Sequence, residues 1–133
     1  MKQKLVSVSI VVDNYDKAIE FYTQKLKFTL VEDTKLSETK RWVLVSPPGD
    51  GKTCLLLAEA KNEEQKSRIG NQTGGRVFLF LHTDNFERDY KLYTQNGVKF
   101  IEQPRYEEYG TVAVFADLYG NLFDLIEPKQ YGW

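Results

Sequence analysis

A single cysteine and a single histidine among 133 residues leave no disulfide framework and no zinc-type Cys/His pair. Charge of one sign is missing as well: 18 basic and 19 acidic residues give a net −1, with no basic run. Phosphate recognition needs clustered positive charge, so no nucleic-acid partner is expected. No apolar stretch approaches the roughly 18 residues of a membrane span, so no membrane partner is expected either. Residues 5–12 are apolar but short, and Ser7 and Ser9 interrupt them without a small-residue cleavage site. They read as a strand and not as a signal peptide, and a cytoplasmic protein is the expectation. No Ser-His-acid context or phosphate-cradling glycine loop occurs.

What the chain does contain is a repeat. Asp13-Asn14-Tyr15-Asp16-Lys17, then Ile19 and Phe21-Tyr22-Thr23-Gln24, return as Asp84-Asn85-Phe86-Glu87-Arg88, then Tyr90 and Leu92-Tyr93-Thr94-Gln95, at a constant offset of 71. Lys27-Phe28 is answered by Lys99-Phe100, one residue later in the second copy. The period is too long for a solenoid and too short for two ordinary domains. Two small modules that close one core together satisfy both limits, and a 41% hydrophobic fraction is enough for that core.

Each copy predicts a strand, a helix and three further extended runs. Residues 5–12 alternate as a strand, and residues 77–82 are the matching strand of the second copy. Helix starts are predicted at Asp13 and Asp84, with stripes of Tyr15, Ile19 and Tyr22 and of Phe86, Tyr90 and Tyr93. Asn96-Gly97 closes the second helix. Extended runs follow near residues 28–31, 41–45 and 53–58, and again near 99–101, 111–115 and 122–126. Turns at 47–51 and 117–121 match Gly51 with Gly120. The fold class is therefore α+β, two tandem β-α-β-β-β modules forming curved sheets around a cleft. Module 1 covers about 4–60, a flexible polar linker about 61–75, and module 2 about 76–128, in a single domain.

This arrangement resembles the vicinal oxygen chelate superfamily of glyoxalases, bleomycin-resistance proteins and extradiol dioxygenases. The matching residues are Val11-Val12-Asp13 leading to Ala18-Ile19-Glu20-Phe21-Tyr22, and the run Asp117-Leu118-Tyr119-Gly120-Asn121-Leu122-Phe123-Asp124-Leu125. The second is similar to the family signature D-P-x-G-N-x-x-E-L. The resemblance implies a cleft whose metal ligands come from the first and last strand of each module. Carried over residue by residue, those positions are Ser7, Leu55 (or Leu56, if the glycine-turn match is off by one), Phe78 and Asp124. Only Asp124 is a good ligand for a divalent ion, where a catalytic metal needs about three. His82 shares strand parity with Phe78 and lies some four residues along, so Asp124, His82 and Glu59 would have to converge to rescue a metal. A hydrogen-bonded histidine at the strand end is the simpler account of His82.

The expected function is a metal-free small-molecule-binding protein, similar to the bleomycin-resistance branch, with no cofactor. Its cleft would be lined by Trp42, Leu55, Phe78, Phe80, His82, Tyr109, Phe115 and Asp124, with Arg76 and Arg105 as candidate clamps for a polar ligand. Two alternatives stay open. One is a glyoxalase-like lyase or dioxygenase using one divalent metal ion; the other is a metal-free enzyme using His82 and Asp124 as acid and base. Cys54, opposite Leu55 in parity, is expected to pack against helices. Open sheet edges favour a homodimer, and a 15-residue linker reaching roughly 50 Å would permit a cleft within one chain or a swapped one across two.

Overall fold

A computed structural model describes residues 1–49 and 51–130; Asp50, in the expected 47–51 turn, lies outside them. In chain order the elements are β1 (Ser7–Val12), α1 (Tyr15–Glu20) running into a π-helical turn (Phe21–Lys25), β2 (Thr29–Lys35), β3 (Arg41–Ser46), β4 (Cys54–Glu59) and α2 (Glu63–Ser67). Then come β5 (Val77–His82), α3 (Phe86–Gln95), β6 (Lys99–Phe100), β7 (Arg105–Glu107), β8 (Gly110–Ala116) and β9 (Leu122–Pro128). They form two compact units, Met1–Ile69 and Gly70–Trp133. Strand order is β1-β4-β3-β2 in the first and β5-β9-β8-β6 in the second, where β7 adds a hairpin to β8. Each unit is thus β-α-β-β-β with its first and last strands parallel. No described helix is long and apolar enough to cross a membrane.

The helix starts repeat almost atom for atom. Asn14 Oδ1 accepts from the Lys17 N–H at 2.9 Å, and Asn85 Oδ1 from the Arg88 N–H at 3.0 Å. The caps are therefore the asparagines, one residue beyond the expected Asp13 and Asp84. An amide reaches the third N–H from an extended residue, which leaves Asp13 and Asp84 to pair with Lys17 and Arg88. The last strand of each unit also reaches its helix: Glu59 accepts from the Tyr15 N–H at 3.4 Å, and Glu127 from the Phe86 N–H at 2.6 Å.

The helices then part company. In the first unit the Leu26 N–H bonds back to Phe21, an i to i−5 step, and the Phe28 N–H reaches Tyr22. In the second, the Val98 N–H reaches Tyr93. One extra residue is thus coiled into the first helix. Strand pairing agrees, since Thr29 faces Ser46 as Lys99 faces Ala116. Phe28 is consequently equivalent to Val98 and Leu30 to Phe100, which corrects the expected match of Phe28 with Phe100.

Each sheet buries one face beneath its helix. Ile10, Val12, Val43, Val45 and Leu57 are fully buried in the first unit, worth about 1.5–3 kcal/mol apiece against exposure. In the second the equivalent layer is aromatic: Phe115 stacks on Phe123 and meets Tyr93 and Phe100 edge-on. The expected linker is not uniformly irregular. Asn62 caps α2 through the Gln65 N–H while Gln65 Oε1 returns to the Lys61 N–H, a reciprocal capping pair within the polar run.

Candidate functional site

The 117–121 turn builds the approach to Asp124. Asp117 Oδ1 accepts from the N–H groups of Tyr119 and Asn121, each at 2.9 Å, and Oδ2 accepts from Asn121 Nδ2 at 2.9 Å. Both side chains are buried, so the signature acid and amide are structural. They fix where β9 begins, and with it the face on which each following residue emerges. Gly70 is pressed on this turn, and a Cβ there would meet the Tyr119 carbonyl oxygen at 1.9 Å.

Strand alternation does the rest. Phe123 and Leu125 enter the helix-covered core, and Asp124 emerges on the opposite face. Its register partners are Phe80 on β5 and Val114 on β8. Phe80 leaves 64% of its surface exposed, while Val114 is buried. Arg105 pairs with Val112 in the β7–β8 hairpin and so shares Asp124's face. Its guanidinium is held by Glu102 at 3.0 Å and Glu107 at 3.2 Å, with Tyr109 as a further partner.

Asp124 is the electrostatic anomaly of this face. Its Oδ1 is buried and has no hydrogen-bond partner among the described residues. Burial raises the carboxyl pKa above the ordinary 3.8; the Arg105 charge opposes that shift and the Glu102 charge reinforces it. A buried unpaired acceptor costs roughly 1–3 kcal/mol, so an acceptor retained in this condition is suited to a donor from outside the fold.

Register corrects several expected lining residues. Leu44 pairs with Leu56 as Val114 pairs with Asp124, so Leu56, not Leu55, is the counterpart of Asp124. The slip lies in the turn: Ser46 to Leu56 is ten steps, while Ala116 to Asp124 is eight. Leu55 is buried with Leu57 on the helix-facing side, as is Phe115 in the second unit. Neither side chain emerges on the faces that carry Leu56 and Asp124. Cys54 pairs with Ser7 and shares the face of Leu56, so it does not pack against the helix. Glu59 has the parity of Leu57 and serves the start of α1. Phe78 is skipped by the β5–β9 register, a bulge residue between Val77 and Leu79.

The remaining candidates are dispersed. His82 is exposed and pairs in register with Ile126, two residues along β5 from the Asp124 partner, roughly 7 Å. Since Oδ1 of Asp124 has no partner, His82 does not supply one. Arg76 is exposed, one residue before β5. Trp42 is partly exposed on β3, on the face of Leu44 and Leu56. Tyr109 is exposed at the β7–β8 turn. Of the two leucines that the glycine-turn match leaves open, the register selects Leu56. Sequence reasoning missed Val114 and Glu102, and Val114 lacks any chemical signature.

A divalent ion does not fit these positions. On the faces concerned, the register-matched residues are Ser9 and Leu56 in one unit and Phe80 and Asp124 in the other. That is one carboxylate and one hydroxyl, and no described group of three His, Cys, Asp or Glu side chains could hold a metal. Two open concavities, of about 500 and 540 Å³, belong to the first unit. One lies beside α1 and the β2–β3 turn and the other beside Cys54, and neither includes Asp124.

The sequence profile of the glyoxalase/bleomycin resistance protein/dioxygenase superfamily matches residues 4–125. The chain belongs to this superfamily. It is 58% identical over 128 residues to an uncharacterized protein of Shewanella frigidimarina (strain NCIMB 400), covering 96% of this chain and 95% of that one. The crystal structure of UcmS2 superposes with a TM-score of 0.83 at 32% identity, covering 96% of this chain and 99% of its own. TnmS3, an antibiotic binding protein from Streptomyces sp. CB03234, follows at 0.76 and 26% identity, covering 96% and 98%.

Proposed function

We propose that this superfamily member is a small-molecule-binding protein that works without a resident metal, with the Asp124 face forming part of its ligand site. The observation that carries the reading is the donor set. A catalytic divalent ion needs about three protein ligands; the second unit offers one carboxylate, Asp124, paired with Phe80, and the equivalent pair in the first unit, Ser9 and Leu56, offers only a hydroxyl. Exposed aromatic surface beside a few polar groups is the usual composition of an organic-ligand site. The likeness to TnmS3, an antibiotic binding protein, supports the same direction.

In this reading the two units act as one binding domain, and the protein is a homodimer. β2 supports the second part, because it is an edge strand exposed along its whole length. Sedimentation at micromolar concentration should give about twice the 15.5 kDa chain mass. A 15.5 kDa species that binds ligand would remove the dimer.

The function is tested by thermal shift of the untagged protein against a library of antibiotics and aromatic metabolites. A ligand at 100 times its Kd should stabilise by about 2.7 kcal/mol. Stoichiometric Zn, Ni, Mn or Fe that survives dialysis, and is lost in Asp124→Ala, would overturn the metal-free reading.

A further inference from the structure

We infer that Asp124 and Phe80 form a two-point subsite for an aromatic ligand bearing an N–H or O–H donor. The ring lies on Phe80, and the donor fills the empty acceptor site of Asp124 Oδ1. This deepens the binding reading above and rests on it. Four observations meet at this point. Asp124 and Phe80 are direct register partners, so their side chains leave the same face of adjacent strands. Phe80 is 64% exposed, an aromatic surface without cover. Asp124 Oδ1 is buried and unpartnered, so a side-chain rotation that turns it toward a ligand donor gains a hydrogen bond and gives none up. Two cations share this face by register, Arg105 opposite Val112 and Lys99 opposite Ala116; Arg105 already holds Glu102 and Glu107, and neither cation gives Asp124 Oδ1 a hydrogen bond.

The surrounding charge narrows the class further. Asp124, Glu102 and Glu107 outnumber Arg105 and Lys99, so an anionic ring is disfavoured, whereas a phenol, aniline or amide N–H is accepted. Leu56, the register counterpart of Asp124, has no acceptor, so the donor contact belongs to the second unit.

Three naphthalenes separate these contributions by calorimetry on the full chain. 2-Naphthol carries the donor, 2-methoxynaphthalene blocks it, and 2-naphthoate replaces it with an anion. The wild type should bind 2-naphthol about tenfold more tightly than 2-methoxynaphthalene, with 2-naphthoate weakest. Asp124→Leu, which copies the residue at position 56, should bring the first two within about twofold of each other. Phe80→Ala should weaken both about tenfold while keeping their ratio. If Asp124→Leu does not fold, the naphthol-to-methoxy ratio on the wild type decides alone. Equal binding of those two probes overturns the anchor and leaves the binding function standing. Tighter binding of 2-naphthoate hands the contact to Arg105 and overturns it too. No binding by any of the three overturns the ligand class, and a library that gives no shift removes the function as well.

Discussion

Position 56 of the first unit is a leucine, and its register counterpart in the second is Asp124. Beneath them, on the helix-facing side, Val45 of the first unit is answered by Phe115. The backbone plan is therefore held constant while the two faces diverge separately. The helix-covered face changes in shape, from aliphatic to a ring stack. The other face changes in chemistry, from leucine to an acid. Divergence of the first kind preserves burial and is a matter of packing. Divergence of the second kind leaves an acceptor unsatisfied, which a core does not tolerate without a reason. The contrast is what supports the proposal of a ligand site on one strand face of one unit.

The largest expected effect tests whether the two faces are truly separate. Phe115→Ala removes a fully buried ring from its contacts with Phe123, Tyr93 and Phe100, at about 3–5 kcal/mol. Val45→Ala, at the equivalent position, should cost about 2 kcal/mol because two methyl groups are removed. Urea denaturation of both variants checks the difference. A Phe115→Ala protein of normal stability that no longer binds ligand would return Phe115 to the site and collapse the distinction.

The helix starts offer a second comparison. Asn14 and Asn85 should each cost about 1 kcal/mol on mutation to alanine. The glutamates should differ, because Glu127 bonds the Phe86 N–H at 2.6 Å and Glu59 reaches Tyr15 only at 3.4 Å. Glu127→Ala should cost about 1–2 kcal/mol and Glu59→Ala less than about 1 kcal/mol, read from denaturation midpoints. Equal losses would show that the 3.4 Å contact is a full bond in solution.

Most of the fold was legible because the repeat spells out both helices with one offset, and alternation identifies the strands beside them. What escaped was each point at which the two copies differ in length. The π turn adds a residue after Phe21 without changing hydrophobic spacing, so Phe28 seemed to answer Phe100. The connection from Ser46 to Leu56 holds two more residues than its counterpart, and matching Gly51 with Gly120 absorbs only one of them, which moved the counterpart of Asp124 from Leu56 to Leu55. Because strand faces alternate, that single slip exchanged a core side chain for a site-face one. The short strand β7 had no alternation to betray it, and Asn62 with Gln65 was a capping signal read as linker polarity. Asp124 and Phe80 were both legible as candidates. Their direct pairing was not, because it depends on the bulge at Phe78.

The end of the first helix can be tested as well. Lys27 closes the first helix with a φ of 62°, where the second uses Gly97 at 84°. A left-handed conformation costs a residue with a Cβ about 1–2 kcal/mol, partly offset by the greater unfolded-state entropy of glycine. Lys27→Gly should therefore stabilise the protein by up to about 1 kcal/mol, seen as a raised Tm. A loss of stability would mean that the lysine side chain, not its backbone, matters at that turn.

The smallest effects belong to two acids that respond to pH in opposite senses, one in each unit. Asp33 is ion-paired with Arg41 at 2.7 Å, and that hydrogen bond lowers its pKa from the ordinary 3.8. Its contribution is present above the unfolded-state value and is lost as pH falls through the lowered folded value. Asp124 is raised by burial, so the folded state binds the proton more tightly than the unfolded one. Stability then falls as pH rises from the ordinary value 3.8 through the raised one, and the full penalty is present at neutrality. Asp33→Asn should destabilise by less than about 1 kcal/mol at pH 7, since solvent screens the pair. Asp124→Asn should be neutral or slightly stabilising at pH 7, because an amide removes the buried charge. Both differences should vanish in acid, once each carboxyl is protonated in the wild type. Stability curves of the three proteins across the acid range decide it. If Asp124→Asn loses stability at pH 7, the carboxylate has a partner in solution, and the acceptor assigned to a ligand is already filled.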